Sequence, residues 1–171
     1  MSRRETDRLL ILIREGDNAA FERLYEQTKR GVFAFLRTYL PNPADTEDAM
    51  QTVYLKIKTG IAGYQAGTNG SAWILQIAKN HALTTIRKTS REIPTEEIEV
   101  VSSPSHIVGV VNDTMEKVLS EEERRIIVLH VLWGYKHREI AVQLGCPTGT
   151  VTSKYKRAIE KMRQALKEEE E

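Results

Sequence analysis

Between Phe21 and Leu40 the apolar residues recur at spacings of three and four: Phe21, Leu24, Tyr25, Val32, Phe35, Leu36 and Leu40, with Thr28 in phase. That period winds them into one stripe along an α-helix. A stripe of this width is unstable in water unless other helices cover it. The covering segments carry the same period. They are Leu9, Leu10, Leu12 and Ile13 within 5–14, then Ala49, Val53 and Ile57 with Met50 and Tyr54, then Ile74, Ile77, Ala78, Ala82 and Ile86. The pattern predicts an all-α fold.

The breaks between stripes are chemically marked. Gly16-Asp17-Asn18 ends the first segment, and Asp17 or Asn18 can cap the second. Pro41-Asn42-Pro43 ends the second, and Asp45 or Thr46 is the expected cap of the third, with Glu47 and Asp48 in its first turn. Gly60, Gly63, Gly67 and Gly70 predict a flexible loop over 60–71. Ser71 is then expected to cap a helix reaching about Lys88. Residues 92–112 contain Pro94 and Pro104 and lose the helical period, which predicts a flexible interdomain linker. A second helical block begins near Asp113, and Ser120 with Glu123 fits a capping box. The expected organisation is an N-terminal domain over 1–91, an acidic linker over 92–112 and a C-terminal domain over 113–171.

The net charge of +1 hides blocks of opposite sign. Residues 61–91 hold Lys79, Arg87, Lys88 and Arg91 and no acid. Residues 92–123 hold nine acids against Lys117. Residues 124–167 hold ten Lys or Arg against Glu139 and Glu160. Two basic blocks on one chain predict two anion-binding surfaces, although solvated helix faces would give the same composition. No apolar stretch reaches the roughly 18 residues needed to cross a membrane. The charged start is not that of a signal peptide. The lone Cys146 cannot form an internal disulfide, so a reducing, cytoplasmic setting is expected. His81, His106, His130 and His137 are scattered without acids or cysteine at ligand spacing, so neither metal nor cofactor is expected. No nucleophile, base and orienting acid recur at a workable spacing, which argues against an enzyme.

Residues 134–163 carry the sharpest motif. His137 to Leu144 reads as a short helix, Gly145-Cys146 as a turn, and Pro147 as the first position of a longer helix. Ile140, Ala141 and Leu144 would pack on Val151, Tyr155, Ala158 and Met162, giving a helix-turn-helix. Its outer face offers Thr148, Thr152, Ser153, Lys154, Lys156 and Arg157. Short hydroxyls and cations of this kind enter a major groove and grip the phosphates on its rim.

At family level, Leu119 to Arg125, Gly134-Tyr135 to Ile140-Ala141 and Gly149-Thr150-Val151 resemble the C-terminal domain of extracytoplasmic-function sigma factors of the sigma-70 family. Asp45 to Gln51 is similar to the family's polymerase-binding helix, and Ala72 to Asn80 to its promoter-melting helix. The likeness covers about residues 7–90 and 113–166. Three positions depart from the family pattern: Thr52 where an acid is frequent, Gly70-Ser71-Ala72 where Phe-Arg-Thr is frequent, and Ser153-Lys154-Tyr155 where Ser-Arg-Leu is frequent. The resemblance implies an alternative sigma factor, with core RNA polymerase, promoter DNA and an anti-sigma factor as partners. It implies polymerase contacts at Asp45, Glu47, Asp48, Met50, Gln51 and Tyr54. It implies −10 contacts at Gln65, Asn69, Gln76, Lys79, Asn80, Thr84 and Arg87, with the glycine loop holding a flipped base. It puts the −35 contacts on the outer face of the helix-turn-helix, and it implies that the acidic linker, with Glu92, Glu96, Glu97 and Glu99, threads the polymerase. From the residues alone, a regulator that binds DNA without polymerase and a helical adaptor for acidic proteins are the competing readings.

Overall fold

The computed structural model describes residues 3–92 and 114–168. Among the described residues the regular structure is entirely helical, and the chain divides into two compact units, Met1–Ser102 and Ser103–Glu171. Apart from Glu92, the last residue of a helix, the expected linker over 92–112 lies outside the described residues, as does Asp113.

The first unit contains α1 (Arg3–Arg14), α2 (Asn18–Arg37), α3 (Pro43–Gly60), a 3₁₀ turn (Ile61–Gly63) and α4 (Gly70–Glu92). Helix α4 packs against all three others, and α2 packs against both α1 and α3. The apolar stripes meet inside this bundle: Leu9, Leu10, Leu24, Val32, Leu36, Val53, Ile57, Ile74, Ala78 and Ala82 are buried. Each fully covered Leu, Ile or Val contributes about 1.5–3 kcal/mol relative to exposure. Ile77 and Ile86 of the expected α4 stripe are only half-buried.

The helix starts refine the expected caps. Asp17 does cap α2, its carboxylate accepting from Ala20 N at 3.0 Å. Helix α3 starts earlier than expected: Asn42 is the cap, accepting from Ala44 N at 2.9 Å, and Pro43 opens the first turn. A proline there loses no hydrogen bond, because first-turn N–H groups have no partner within the helix. The proline that ends one helix therefore begins the next. Thr46 is buried inside α3 and donates to Asn42 O at 2.8 Å, and Asp45 is exposed. For α4 the cap is Asn69, accepting from Ala72 N at 3.2 Å, rather than Ser71. Ser71 is buried, with its hydroxyl 3.3 Å from that of Thr6 on α1. Helix α4 continues four residues beyond Lys88 to Glu92.

The second unit contains α5 over 114–118, α6 (Glu121–Ile127) running into a π turn (Val128–Leu132), α7 (His137–Leu144) and α8 (Thr148–Glu168). The capping box at Ser120 forms in both directions, Glu123 N donating to Ser120 Oγ at 3.3 Å and Ser120 N to Glu123 Oε2 at 3.0 Å. Ile126, Leu129, Ile140, Val151 and Ala158 form the core. Gly145 takes the left-handed conformation at φ +64° that ends α7, and Cys146 N donates back to Ala141 O at 3.1 Å. Pro147 flanks α8 rather than opening it: its carbonyl accepts from Thr150 N and Val151 N, one position earlier than expected.

Candidate nucleic-acid interfaces

On α4, Gln76, Asn80, Thr84 and Arg87 are exposed and Lys79 is half-buried. Positions 76, 80 and 84 follow one another at a single helical turn, so they form one ridge. The ridge is internally ordered: Gln76 Nε2 donates to Asn80 Oδ1 at 2.8 Å, and the Thr84 hydroxyl donates to Asn80 O at 2.8 Å. With no carboxylate between Ile61 and Arg91, the surface offers amides, a hydroxyl and cations only.

The loop before α4, expected from its glycines to be flexible, is anchored at its root. Tyr64 is 2% exposed, with its ring 5.1 Å from that of Trp73. Its phenol donates to the Asp7 carboxylate of α1, and burial together with that hydrogen bond pushes its pKa up to about 12. Gly67 N donates to Asp7 Oδ1 at 3.2 Å, and Arg14 donates to Tyr64 O at 3.1 Å. Gln65, Ala66, Gly67 and Thr68 remain exposed at the tip. Asn69, expected as a base-reading residue, has its side-chain oxygen committed to the start of α4.

Helix α3 exposes Asp45, Glu47, Asp48 and Gln51 and half-buries Met50. Tyr54 is not on that surface. It is 5% exposed, its hydroxyl lies 2.7 Å from that of Thr28, and its ring stands edge-on to Tyr25. Burial holds its phenol well above the usual range. The apolar residue that faces solvent there is Leu55, 61% exposed and one turn from Gln51. Sequence reasoning missed Leu55, although it stands out of phase with the buried Ala49, Val53 and Ile57.

On α8, Thr148, Ser153, Lys156 and Arg157 are exposed and Thr152 is half-buried. Lys154 turns away from this face to pair with Glu122 of α6. Lys161 pairs with the buried Glu123 at 2.8 Å, and Arg163 with Glu160 at 2.9 Å. At least three of the ten cations over 124–167 are thus paired within their own unit. Lys156 and Arg157 have no ion pair among the described residues. The histidines are not all scattered, because the fold gathers two of them. His130, His137 and Tyr155 form a cluster with ring centroids 4.6–5.0 Å apart. His137 Nδ1 lies 3.0 Å from Thr152 Oγ1, which itself donates to Thr148 O at 3.1 Å. With its one proton so used, the hydroxyl accepts from His137. Burial, then the neighbouring His130, lowers the His137 pKa.

Comparison with known proteins fits this arrangement. Residues 24–92 match sigma-70 region 2, and residues 117–162 match sigma-70 region 4. The ECF RNA polymerase sigma-E factor of Escherichia coli K12 is 26% identical over 180 aligned residues, covering 94% of each chain. The ECF RNA polymerase sigma factor SigK of Mycolicibacterium vanbaalenii is also 26% identical, covering 95% of this chain and 89% of that protein. The fold resembles that of the sigma factor RpoE in complex with the anti-sigma factor NepR from Bartonella quintana, with a TM-score of 0.61, 23% identity and coverage of 86% of this chain and 96% of that one. It also resembles CnrH in complex with the cytosolic domain of CnrY, with a TM-score of 0.61, 20% identity and coverage of 95% and 97%. A region 2 bundle followed by a region 4 helix-turn-helix defines a sigma-70 family protein. Within that family the chain belongs to the extracytoplasmic-function sigma factors, which direct RNA polymerase to promoters and initiate transcription. No helix of the described residues is long and apolar enough to cross a membrane.

Proposed function

We propose that the two units divide promoter recognition, the first meeting core polymerase and the −10 element and the second the −35 element. The polymerase face is Asp45, Glu47, Asp48, Met50 and Gln51 on α3, with Leu55 taking the apolar place expected of Tyr54. Carboxylates and an amide around one exposed leucine suit a basic helical partner surface, with a small apolar anchor inside a polar rim. The −10 face is the ridge Gln76, Lys79, Asn80, Thr84 and Arg87, with Gln65 at the loop tip reading an unstacked base. Asn69 serves that loop as a cap. The −35 face is Thr148, Thr152, Ser153, Lys156 and Arg157, with Lys154 supporting α8 from behind.

The observation that carries this reading is that the α4 ridge and the outer face of α8 combine exposed cations with exposed hydroxyls or amides. Phosphate contacts need the cations and base edges need the amides and hydroxyls, so each surface holds both kinds of group. The chain supplies recognition and leaves the chemistry to the polymerase, acting in the cytoplasm. An anti-sigma protein is the expected restraint, as in the complex of RpoE with NepR.

The test separates the surfaces. Asp48→Arg with Gln51→Ala should weaken capture of core polymerase at least tenfold while leaving the fold intact, since exposed polar changes usually move stability by less than about 0.5 kcal/mol. Lys156→Ala with Arg157→Ala should leave capture intact, weaken upstream promoter binding and reduce its salt dependence by about two charges. Asn80→Ala should impair strand opening alone. If all three variants fail at the same step, the division of labour is wrong.

A further inference from the structure

The family match to region 2 begins at residue 24, so α1 lies outside it. Yet α1 is the element that holds the loop over 61–69. Three contacts separated by fifty or more residues in sequence join them, Tyr64 Oη to Asp7, Gly67 N to Asp7 Oδ1 at 3.2 Å and Arg14 to Tyr64 O at 3.1 Å, and a fourth joins α1 to the start of α4, the hydroxyls of Thr6 and Ser71 at 3.3 Å. Gly70 closes the joint. A Cβ there would stand 2.8 Å from Leu10 Cδ1 and 3.1 Å from Tyr64 Oη, so α1 and the end of the loop are in contact with no spare space.

We propose that Asp7 is a positioning residue for the loop tip, fixing Gln65 and Thr68 for base capture and thereby setting discrimination at the −10 element. This rests on the loop reading a base, as argued above. A loop with four glycines over 60–70 has many accessible conformations, and ordering it on binding would cost roughly 1–2 kcal/mol per residue. Holding it in advance removes that cost and narrows the geometry offered to the wrong base. One oxygen, Asp7 Oδ1, accepts from both the Tyr64 phenol and Gly67 N, so it sets the buried root of the loop and its left-handed turn at φ +79° together. Asp7 touches no DNA in this scheme and acts through Tyr64 and Gly67.

The test uses the full chain assembled with core polymerase on promoters bearing single-base changes in the −10 element. Asp7→Ala should reduce the preference for the favoured base at least about fivefold, within the cost of one mismatch. Binding of the −35 element and capture of core polymerase should be unchanged. Asp7→Asn keeps the shared acceptor oxygen and should restore most of the preference, because hydrogen bonding and not charge does the positioning. Tyr64→Phe keeps the buried ring, removes one of the two hydrogen bonds and should fall between them. Gln65→Ala with Thr68→Ala tests the underlying reading on its own. Unchanged preference in that variant removes base reading by the loop, and the proposal with it. Lost preference there, with full preference in both Asp7→Ala and Tyr64→Phe, overturns only the role of Asp7. A parallel loss of polymerase capture and preference in Asp7→Ala, not relieved in Asp7→Asn, shows a merely structural residue and also overturns it.

Discussion

The two units hold the residues proposed to face DNA by different physical means. In the first, α1 meets the loop and the start of α4 through hydrogen bonds to Asp7, Tyr64 and Ser71 and through a close fit at Gly70. In the second, α8 is held to α6 by the pairs Lys154–Glu122 and Lys161–Glu123. Contacts of the first kind are close packing and hydrogen bonds, and salt affects them less than it affects ion pairs. Partly exposed ion pairs are screened, with a Debye length of about 8 Å at physiological ionic strength. The difference follows from size. The first unit has four long helices and a large shared core, whereas the second has only short helices packed beneath α8. With less apolar area to bury, it relies more on charge. The same pairs keep α8's inner cations away from its outer face and leave that face to Lys156 and Arg157.

The largest expected effect breaks the charge side of this contrast. Glu123 is 3% exposed, accepts from Lys161 at 2.8 Å and closes the capping box at Ser120. Burial alone would raise its pKa, but the bonds from Lys161 and Ser120 outweigh burial and hold it below the ordinary 4.5. Glu123→Ala removes the returning half of the capping box and the pair together, while Ser120 Oγ still accepts from the backbone N at 123. Leaving Ser120 N without its acceptor costs about 1 kcal/mol. Lys161 is partly solvated, so the pair adds less than a buried one would. The second unit should lose about 2 kcal/mol, or roughly 10 °C in melting temperature for a unit of this size. Trp133 lies in the second unit and Trp73 in the first, so a Trp73→Phe background reports the second alone. Glu123→Ala should also reduce the salt dependence of that signal, the Lys154–Glu122 pair remaining. An unchanged midpoint would mean that the Lys161–Glu123 pair does not hold the unit.

A middle-sized effect tests the shape side. Gly70→Ala places a methyl 2.8 Å from Cδ1 of the fully buried Leu10, so one of the two must shift. Overpacking of this kind costs about 1–3 kcal/mol. Alanine's better helix propensity offsets part of it. The first unit should lose about 1–2 kcal/mol, read at Trp73 in a Trp133→Phe background, with the same loss at low and high salt. A stabilised protein would show that Leu10 has room to move.

These two residues also show what the sequence could and could not disclose. The helical stripes, the cap at Asp17, the capping box at Ser120 and the left-handed Gly145 follow from local rules, and each is where those rules put it. The ridge of Gln76, Asn80 and Thr84 was also readable, because a polar face opposite an apolar stripe is a local property. Long-range partners were not. Tyr64 sits among glycines that predict looseness, and only the distant Asp7 shows that the loop is held. Tyr54 lies beside polar neighbours on α3, and its burial depends on Thr28 and Tyr25 of another helix. Lys154 has the spacing of a groove-facing cation but finds Glu122 thirty-two residues away. A charge tally cannot separate cations that meet DNA from cations consumed inside the fold.

The smallest expected effect sharpens the contrast by pH. His137 donates Nδ1–H to Thr152, and its Nε2 is buried with no hydrogen-bond partner among the described residues. Protonating Nε2 would put a second donor where no described residue accepts it, with the His130 ring tilted against the His137 ring at 4.6 Å. Burial and His130 accordingly lower its pKa from the ordinary 6.5. The unfolded chain therefore takes up this proton first as pH falls. The stability is fully present above about pH 6.5 and is lost progressively as pH drops from there toward the lower folded value. One proton limits the slope to about 1.4 kcal/mol per pH unit. His81 in the first unit is also lowered, by burial first and then by Lys56 and Lys88, so the measurement has to be read at Trp133. The Glu123 contribution titrates below 4.5 and leaves the window from 6.5 to 5 clear. His137→Phe keeps an aromatic ring against Tyr155 and has nothing to protonate. It should flatten the pH dependence in that window while leaving stability at pH 8 nearly unchanged. A wild-type slope that survives in His137→Phe would leave His137 with no part in the acid sensitivity of the second unit.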